Sequence, residues 1–410
     1  MCKKRVLTTF TKTKRERAAR MNKHIHELVK DGSDYVVKLR RHFRAFPELG
    51  GEEVETQKKI IAELTAMGLT PRLAAGTGII AEIKGGRQGK TVAIRADIDA
   101  LPIQDEIDQS YCSRNTGRCH ACGHDGHTAM LLGIAKVFST IKEELPGTIR
   151  LLFQPSEEKF PGGALAMIAD GAVEGVDAVI GTHLWQPFTV GTMGLTYGPM
   201  MASPDEFTIT IKGSGGHGSM PHQTIDPLYV GAQIVLALKT ITGNNVNTNE
   251  LAVLSLGVFK AGDAFNVIPD SATLKGTVRT FAQSTRETIF AAIDRMCSGI
   301  CAAAGATYNL ESHLGYPPVI NNPEVAKIVA QSAETVLGKT AVFEMSPAMV
   351  GEDFSYYQQQ VPGCFMFIGV GNKDKGFVYP HHHPKFDMDE SAFSYGVEIM
   401  VVSALNLLQV

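Results

Sequence analysis

Four short segments of the chain carry side chains that could hold a metal or move a proton. The first is His120-Ala121-Cys122-Gly123-His124-Asp125-Gly126-His127. Cys122 and His124 stand two residues apart in a glycine-broken loop, and in an extended loop such residues point the same way and can share one metal centre. Asp125 or His127 could orient a ligand from behind. No second Cys/His pair follows at zinc-finger distance. The second segment is Gln154-Pro155-Ser156-Glu157-Glu158. Adjacent acids on a continuing strand would point oppositely, but Pro155 ends the strand, so both can turn toward one site. A metal hydrolase needs one carboxylate as ligand and another as proton shuttle. The third is Gly181-Thr182-His183, where His183 closes a buried apolar run. The fourth, Pro380-His381-His382-His383-Pro384, sets three histidines between prolines near the C-terminus. Each has an ordinary alternative: a buried cysteine beside an N-capping Asp125, a solvated acidic loop, a hydrogen-bonded core histidine, a surface histidine tract. Together they supply a cysteine, several histidines and two glutamates at strand ends, enough for a two-metal site.

These segments need elements to position them. Glu52–Met67 has the period of an amphipathic helix and stops at Gly68. Thr91–Ile94, Thr148–Gln154 and Asp177–Gly181 read as short buried strands, with a helix over His127–Ile141 between the first two. Strands spaced by helices predict an α/β layer on a largely parallel sheet, where sites gather at strand ends. The middle has another rhythm. Strands at Glu206–Gly213, Leu251–Phe259, Ser271–Phe281 and Thr307–His313 alternate with helices at Asp226–Thr242 and Arg286–Ala304. That order is βαββαβ, a ferredoxin-like unit. After Pro317-Pro318 the α/β rhythm resumes with helix Pro323–Leu337, a helix around 354–360, strand Cys364–Gly369 and helix Glu390–Leu408. The expected organisation is a catalytic domain of residues 21–200 and 316–410 with a smaller domain, 201–315, inserted.

Composition narrows the function classes. The 410 residues are 44% hydrophobic and 20% charged, ordinary for a globular chain. No apolar run approaches 18 residues, so no transmembrane helix is expected. A net charge of −3 gives no argument for nucleic acid. That value hides an asymmetry: residues 1–20 hold eight basic groups and one acid, leaving 31 basic and 41 acidic groups, a net −10, for the rest. The segment lacks the apolar core of a secretory signal and is expected to be a disordered tail, with Met21 an alternative start. Seven cysteines in so long a chain suggest reduced thiols and a cytoplasmic protein.

From about Leu39 to Leu408 the sequence resembles the hippurate hydrolase, N-acyl-amino-acid amidohydrolase and auxin-conjugate hydrolase branch of the dinuclear-metal aminoacylase/carboxypeptidase family. The likeness rests on motifs in family order. They are LRRHFRAFPELGGEE from Leu39, RADIDALPI from Arg95, HACGHDGHT from His120, FQPSEE from Phe153 and GTHLWQP from Gly181. GGHGSMPH from Gly215, NVIPD from Asn266, GTVRTF from Gly276, GEDF from Gly351 and HHPKFD from His382 follow.

The resemblance implies an α/β metal-binding catalytic domain with an inserted ferredoxin-like dimerisation domain. It implies two divalent ions per subunit (Mn, Zn, Co or Ni), held by Cys122, His124, Glu158, His183 and His382. Glu157 matches the general base and Asp99 an acid that orients the site. His217 matches a histidine that reaches a site across the subunit interface, and Asn266 and Arg279 match substrate-contacting residues. The implied reaction is hydrolysis of a small N-acyl amino acid, hippurate-like or N-acetylated, by a homodimer or tetramer. Dipeptidase or carboxypeptidase activity, N-acetyl-diaminopimelate deacetylation and non-catalytic metal binding are the alternatives. The chain departs from relatives at Arg44 and Phe46, where histidine is common, at Lys159, where glycine is usual, and at Cys119, an added thiol.

Overall fold

The structure, a computed structural model, describes the backbone of residues 2–409 and the side chains of residues 19–409. The expectation of a disordered tail over 1–20 thus falls, up to residue 18, on side chains outside the described residues. The chain forms two compact units. One comprises Met1–Gly198, Asn321–Ser346 and Tyr356–Val410; the other comprises Pro199–Ile320 and Pro347–Ser355. The segment expected as an insert lies inside the second unit, which also takes in 347–355.

The first unit opens with α1 (Cys2–Ala45), α2 (Val54–Ala66), β1 (Arg72–Ala74), β2 (Gly78–Lys84), β3 (Arg87–Asp97), α3 (His124–Thr140), β4 (Pro146–Gln154), α4 (Ala164–Ala169), β5 (Ala178–Thr189) and β6 (Met193–Leu195). The second holds β7 (Pro199–Met201), β8 (Ser203–Lys212), β9 (Gly216–His217), α5 (Pro227–Leu238), α6 (Ile241–Asn244), β10 (Ala252–Ala261), β11 (Val267–Ile268), β12 (Ser271–Thr280), α7 (Gln283–Ala304), β13 (Thr307–His313) and β14 (Val319–Ile320). The chain closes with α8 (Pro323–Leu337), β15 (Val342–Glu344), α9 (Ser355–Gln358), β16 (Gly363–Gly371) and α10 (Ala392–Leu407).

The first unit is built on an eight-stranded sheet, ordered β1-β2-β4-β3-β5-β16-β6-β15. Its centre, β4-β3-β5-β16, is parallel throughout. These strands are apolar on both faces because helices cover them, and each buried Ile, Leu or Phe contributes about 1.5–3 kcal/mol. Ile25, Val29, Val36, Leu39 and Phe43 form one buried stripe of α1 that joins the same core. Gly133 permits close packing of α3 on α1, since a Cβ there would lie 2.7 Å from Val36 Cγ2.

The second unit has a four-stranded antiparallel sheet, ordered β10-β12-β8-β13. With α5 and α7 this is the ferredoxin-like arrangement expected. Phe207, Ile209 and Ile211 alternate inward along β8 and share a core with Val230 and Ile234 of α5 and Ile289 and Ile293 of α7.

Several helix boundaries differ from expectation, two of them with a local cause. The helix expected over Asp226–Thr242 begins as read, with the Asp226 carboxylate accepting from Leu228 N and Pro227 at N1, but α5 ends at Leu238. There the Thr240 hydroxyl donates to the Ala237 carbonyl, a local bond that competes with the helical ladder. The helix expected from His127 begins at His124, because Gly123, at φ +95°, turns the chain into the helix from the left-handed region.

Candidate metal centre

Five backbone features gather the reactive side chains of the first unit. β3 ends in Asp97, followed at the same alternation by Asp99. β4 ends at Gln154, and Pro155 with a left-handed Ser156 (φ +55°) swings the chain so that Glu157 and Glu158 follow. Gly123 starts α3 early enough to place His124 in its first turn. β5 carries His183 as its sixth residue, and the loop after β16 carries His382, itself left-handed at φ +64°.

The ligand atoms converge. Cys122, His124 and His183 each offer one within 4.8 Å of the others; so do Cys122, Glu158 and His382, and so do His124, Glu157 and Glu158. Cys122 belongs to two of these groups. Its Sγ lies 3.4 Å from His183 Nε2, and Glu158 Oε1 lies 3.3 Å from His382 Nε2 and 4.0 Å from His124 Nε2. The far side of each ring is committed: His124 Nδ1 donates to the Asp99 carbonyl at 3.0 Å and His183 Nδ1 to the Leu184 carbonyl at 2.9 Å. Both imidazoles therefore aim Nε2 inward, the nitrogen that binds metal once the ring is neutral. Asp99 also accepts from Glu158 N at 3.0 Å, so one residue braces a histidine and a glutamate of the cluster.

The same volume is short of positive charge. Burial, then Glu158 and Glu157, push the Cys122 thiol well above its usual range. Burial pulls the His124 ring down, yet Asp97, Asp99 and Glu158 together raise it to about 10. Burial, with His127 and His381, drives His183 far below the ordinary histidine range. His124 Nε2 and Glu158 Oε1 are buried without a hydrogen-bond partner, an expensive condition for polar atoms. A divalent cation accepts these lone pairs and favours the thiolate, so the donor set fits such an ion. Thiolate, imidazole and carboxylate together suit Zn, Mn, Co or Ni.

The remaining expected site residues lie in the second unit. His217 on β9 pairs with Val267 on β11, and Gly218 N donates to the Asn266 carbonyl at 2.8 Å, which brings His217 and Asn266 together. Both are exposed. His217 Nδ1 accepts from Ser219 N at 3.1 Å, which leaves its Nε2 to carry the proton outward. Arg279 sits on β12, half-buried, with Nη1 bonded to the Asp205 and Val278 carbonyls.

Sequence reading assigned no role to Asp97, Arg40, Arg44 or His381. Asp97 is buried, with Oδ1 2.6 Å from His127 Nδ1 and Oδ2 3.7 Å from His124 Nε2. Its two-residue spacing from Asp99 was the available signal. Arg40 and Arg44, both fully buried, brace two of the site loops from α1. Arg40 bonds Asp125 at 2.9 Å and pairs with Asp387; Arg44 bonds Asp105, the His120 carbonyl at 2.7 Å and the Phe386 carbonyl at 2.8 Å. Asp125 is thus no N-cap, a place taken by Gly123.

The model of Peptidase family M20/M25/M40 matches residues 93–406. The chain is 48% identical over 301 residues to an N-acyl-L-amino acid amidohydrolase of Geobacillus stearothermophilus, covering 73% of this chain and 81% of the relative. It is 40% identical over 375 residues to an N-acetyl-L-cysteine deacetylase of Bacillus subtilis, covering 91% and 88%. Among solved structures it resembles the YXEP protein of Bacillus subtilis, described as a dinuclear metal binding peptidase of the M20 family. The TM-score is 0.80 at 35% identity, over 93% of this chain and 99% of that one.

Proposed function

The chain belongs to peptidase family M20/M25/M40, and on that basis we propose that it is a dinuclear-metal amidohydrolase cleaving N-acyl amino acids to a carboxylic acid and a free amino acid. The observation that carries this reading is the convergence of Cys122, His124, Glu158, His183 and His382, with buried His124 Nε2 and Glu158 Oε1 making no hydrogen bond. Cys122, His124 and His183 would hold one ion, and Cys122, Glu158 and His382 the other. Two such ions supply Lewis-acid polarisation of the amide carbonyl and acidify bound water.

The protein's own groups do the rest. Glu157, buried beside Glu158, takes the proton of the attacking water and returns it to the leaving amine. Asp99 keeps His124 and Glu158 in place. His217, with Nε2 as the outward donor, stabilises the oxyanion, and Asn266 and Arg279 hold the free carboxylate of the amino-acid half.

The working form is a homodimer, with His217 serving the partner subunit's site. The sheet of the second unit supports this. β10 is its edge, ten residues long, and Tyr229, Leu236 and Phe259 are exposed in the same unit. A long unpaired edge beside apolar side chains is a template for pairing with a second copy.

The test is a substrate panel of hippurate, N-acetyl amino acids and dipeptides, run after chelation and after re-addition of Mn²⁺, Zn²⁺, Co²⁺ or Ni²⁺. Metal-restored cleavage of the acyl amino acids is expected. Dipeptides alone being cut would move the reading to peptidase activity, and full metal content without cleavage of any amide would overturn it.

A further inference from the structure

The backbone of one residue next to the metal cluster, Leu184, is bonded to three histidines. The Leu184 N–H donates to His127 Nε2 at 2.9 Å. The Leu184 carbonyl accepts from His183 Nδ1 and from His381 Nε2, each at 2.9 Å. A peptide N–H only donates and a peptide carbonyl only accepts, so these contacts dictate where each ring carries its proton. His183 is protonated on Nδ1 and presents a bare Nε2 toward Cys122 Sγ, 3.4 Å away. His127 has a bare Nε2, so the proton it shares with Asp97 Oδ1, at 2.6 Å, sits on its Nδ1. Both of its ring nitrogens are thereby used, which removes it from the ligand set despite its place in the HDGH run. Asp97 is fixed in turn by Arg95 Nη1 at 2.6 Å.

The rings also close on one another. His183 meets His127 edge-on at 4.8 Å and His381 edge-on at 5.0 Å. His381 stacks on Trp185 at 4.7 Å, and Trp185 stacks on Phe367 at 4.2 Å. His183 therefore has little freedom to rotate or change tautomer.

We propose that Asp97, His127 and His381, joined through the backbone N–H and carbonyl of Leu184, are positioning residues that lock His183 in the tautomer and orientation that bind metal. The proposal rests on the metal-binding reading above. It divides these five histidines into two groups, with His124, His183 and His382 ligating and His127 and His381 holding.

The experiment measures Co²⁺ affinity by chelator competition, with the visible absorption of the bound Co²⁺ as a report on its coordination. The proteins are the wild type, His127→Leu, His127→Gln and His381→Phe. Glutamine can accept from Leu184 N–H and donate to Asp97, whereas leucine can do neither. Phenylalanine keeps the stack on Trp185 and loses the donor to Leu184. Removing such outer partners typically weakens metal binding about 10–100-fold. That loss, with an altered Co²⁺ spectrum, is expected in His127→Leu and His381→Phe, and most of it should be recovered in His127→Gln. Trp185, the only tryptophan in the chain, gives an emission check that each variant keeps the local packing. If His127→Leu fails to fold, the other two variants carry the comparison. Wild-type affinity and spectrum in His381→Phe, or a folded His127→Gln no better than His127→Leu, overturn the frame. A wild type that binds no Co²⁺ overturns the metal reading itself, and the frame with it.

Discussion

Cys122 is the member common to the two groups proposed to hold an ion each, so its loss should differ from that of a residue in only one of them. Cys122→Ala is expected to lower bound metal from two equivalents to below one, read by elemental analysis after gel filtration. A His382→Ala variant should retain about one equivalent, because the Cys122, His124 and His183 group stays whole. Glu157 belongs to the reaction rather than to holding metal. Glu157→Gln should keep both equivalents and lose about 10²–10⁴-fold in turnover, the range general-base removal spans. Full activity in that variant would remove Glu157 from the proton shuttle. Residues of this kind are legible in sequence because their chemistry is rare. Asp97 was not, since an aspartate at a strand end looks like any other until the fold sets it against His127 and His124.

At the scale of elements, the site depends on how helices and loops are tied. A Cβ on Gly123 would meet only ordinary contacts, 3.7 Å or more from Met388, Leu184 and Phe386. Gly123→Ala is therefore limited by its left-handed backbone, a cost of about 1–2 kcal/mol. A matching drop in unfolding free energy with weaker metal binding is expected; an unchanged pair of values would show that the turn is not needed. Arg44 is a harder case. Arg44→Leu strands the buried Asp105 carboxylate and two carbonyls, and breaking a buried pair costs about 3–5 kcal/mol. Asp387 adds a pH dependence. Burial opposes its ionisation, but Arg40 and Arg44 hold its carboxyl below the usual aspartate range. A depressed folded value contributes stability above the unfolded pKa, and that contribution is lost as pH falls through the folded one. Stability followed by urea melts from pH 6 toward pH 3 should fall, and Asp387→Asn should flatten part of that slope. Helix α1 was the least legible element. No element was placed before Glu52, yet the buried stripe of this helix starts at Ile25 and ends at Phe43.

At the scale of the molecule, the net charge of −3 says little about the enzyme, because a basic N-terminal segment masks an acidic body. Among the described residues no helix is long and apolar enough to cross a membrane. Assembly is the molecular property most open to direct test. Light scattering should give twice the chain mass. Inactive His217→Ala and inactive Glu157→Gln subunits, mixed under proven exchange, should regain about a quarter of wild-type activity if sites are completed across the interface; random pairing makes half the dimers mixed, and one of their two sites is whole. No recovery would confine His217 to its own subunit.

The two-part rhythm of strands and helices is readable along the chain, because periodicity and turn chemistry are local. So are the identities of the side chains that converge, because cysteine, histidine and paired glutamates at strand ends have few other uses. Which of these face inward, and which hold the others, emerges in three dimensions alone. HDGH and HHH look alike along the chain. The backbone of Leu184 separates His183 from His127 and His381 by which ring nitrogen each commits to it, Nδ1 for the first and Nε2 for the other two, and that depends on partners up to 197 residues away.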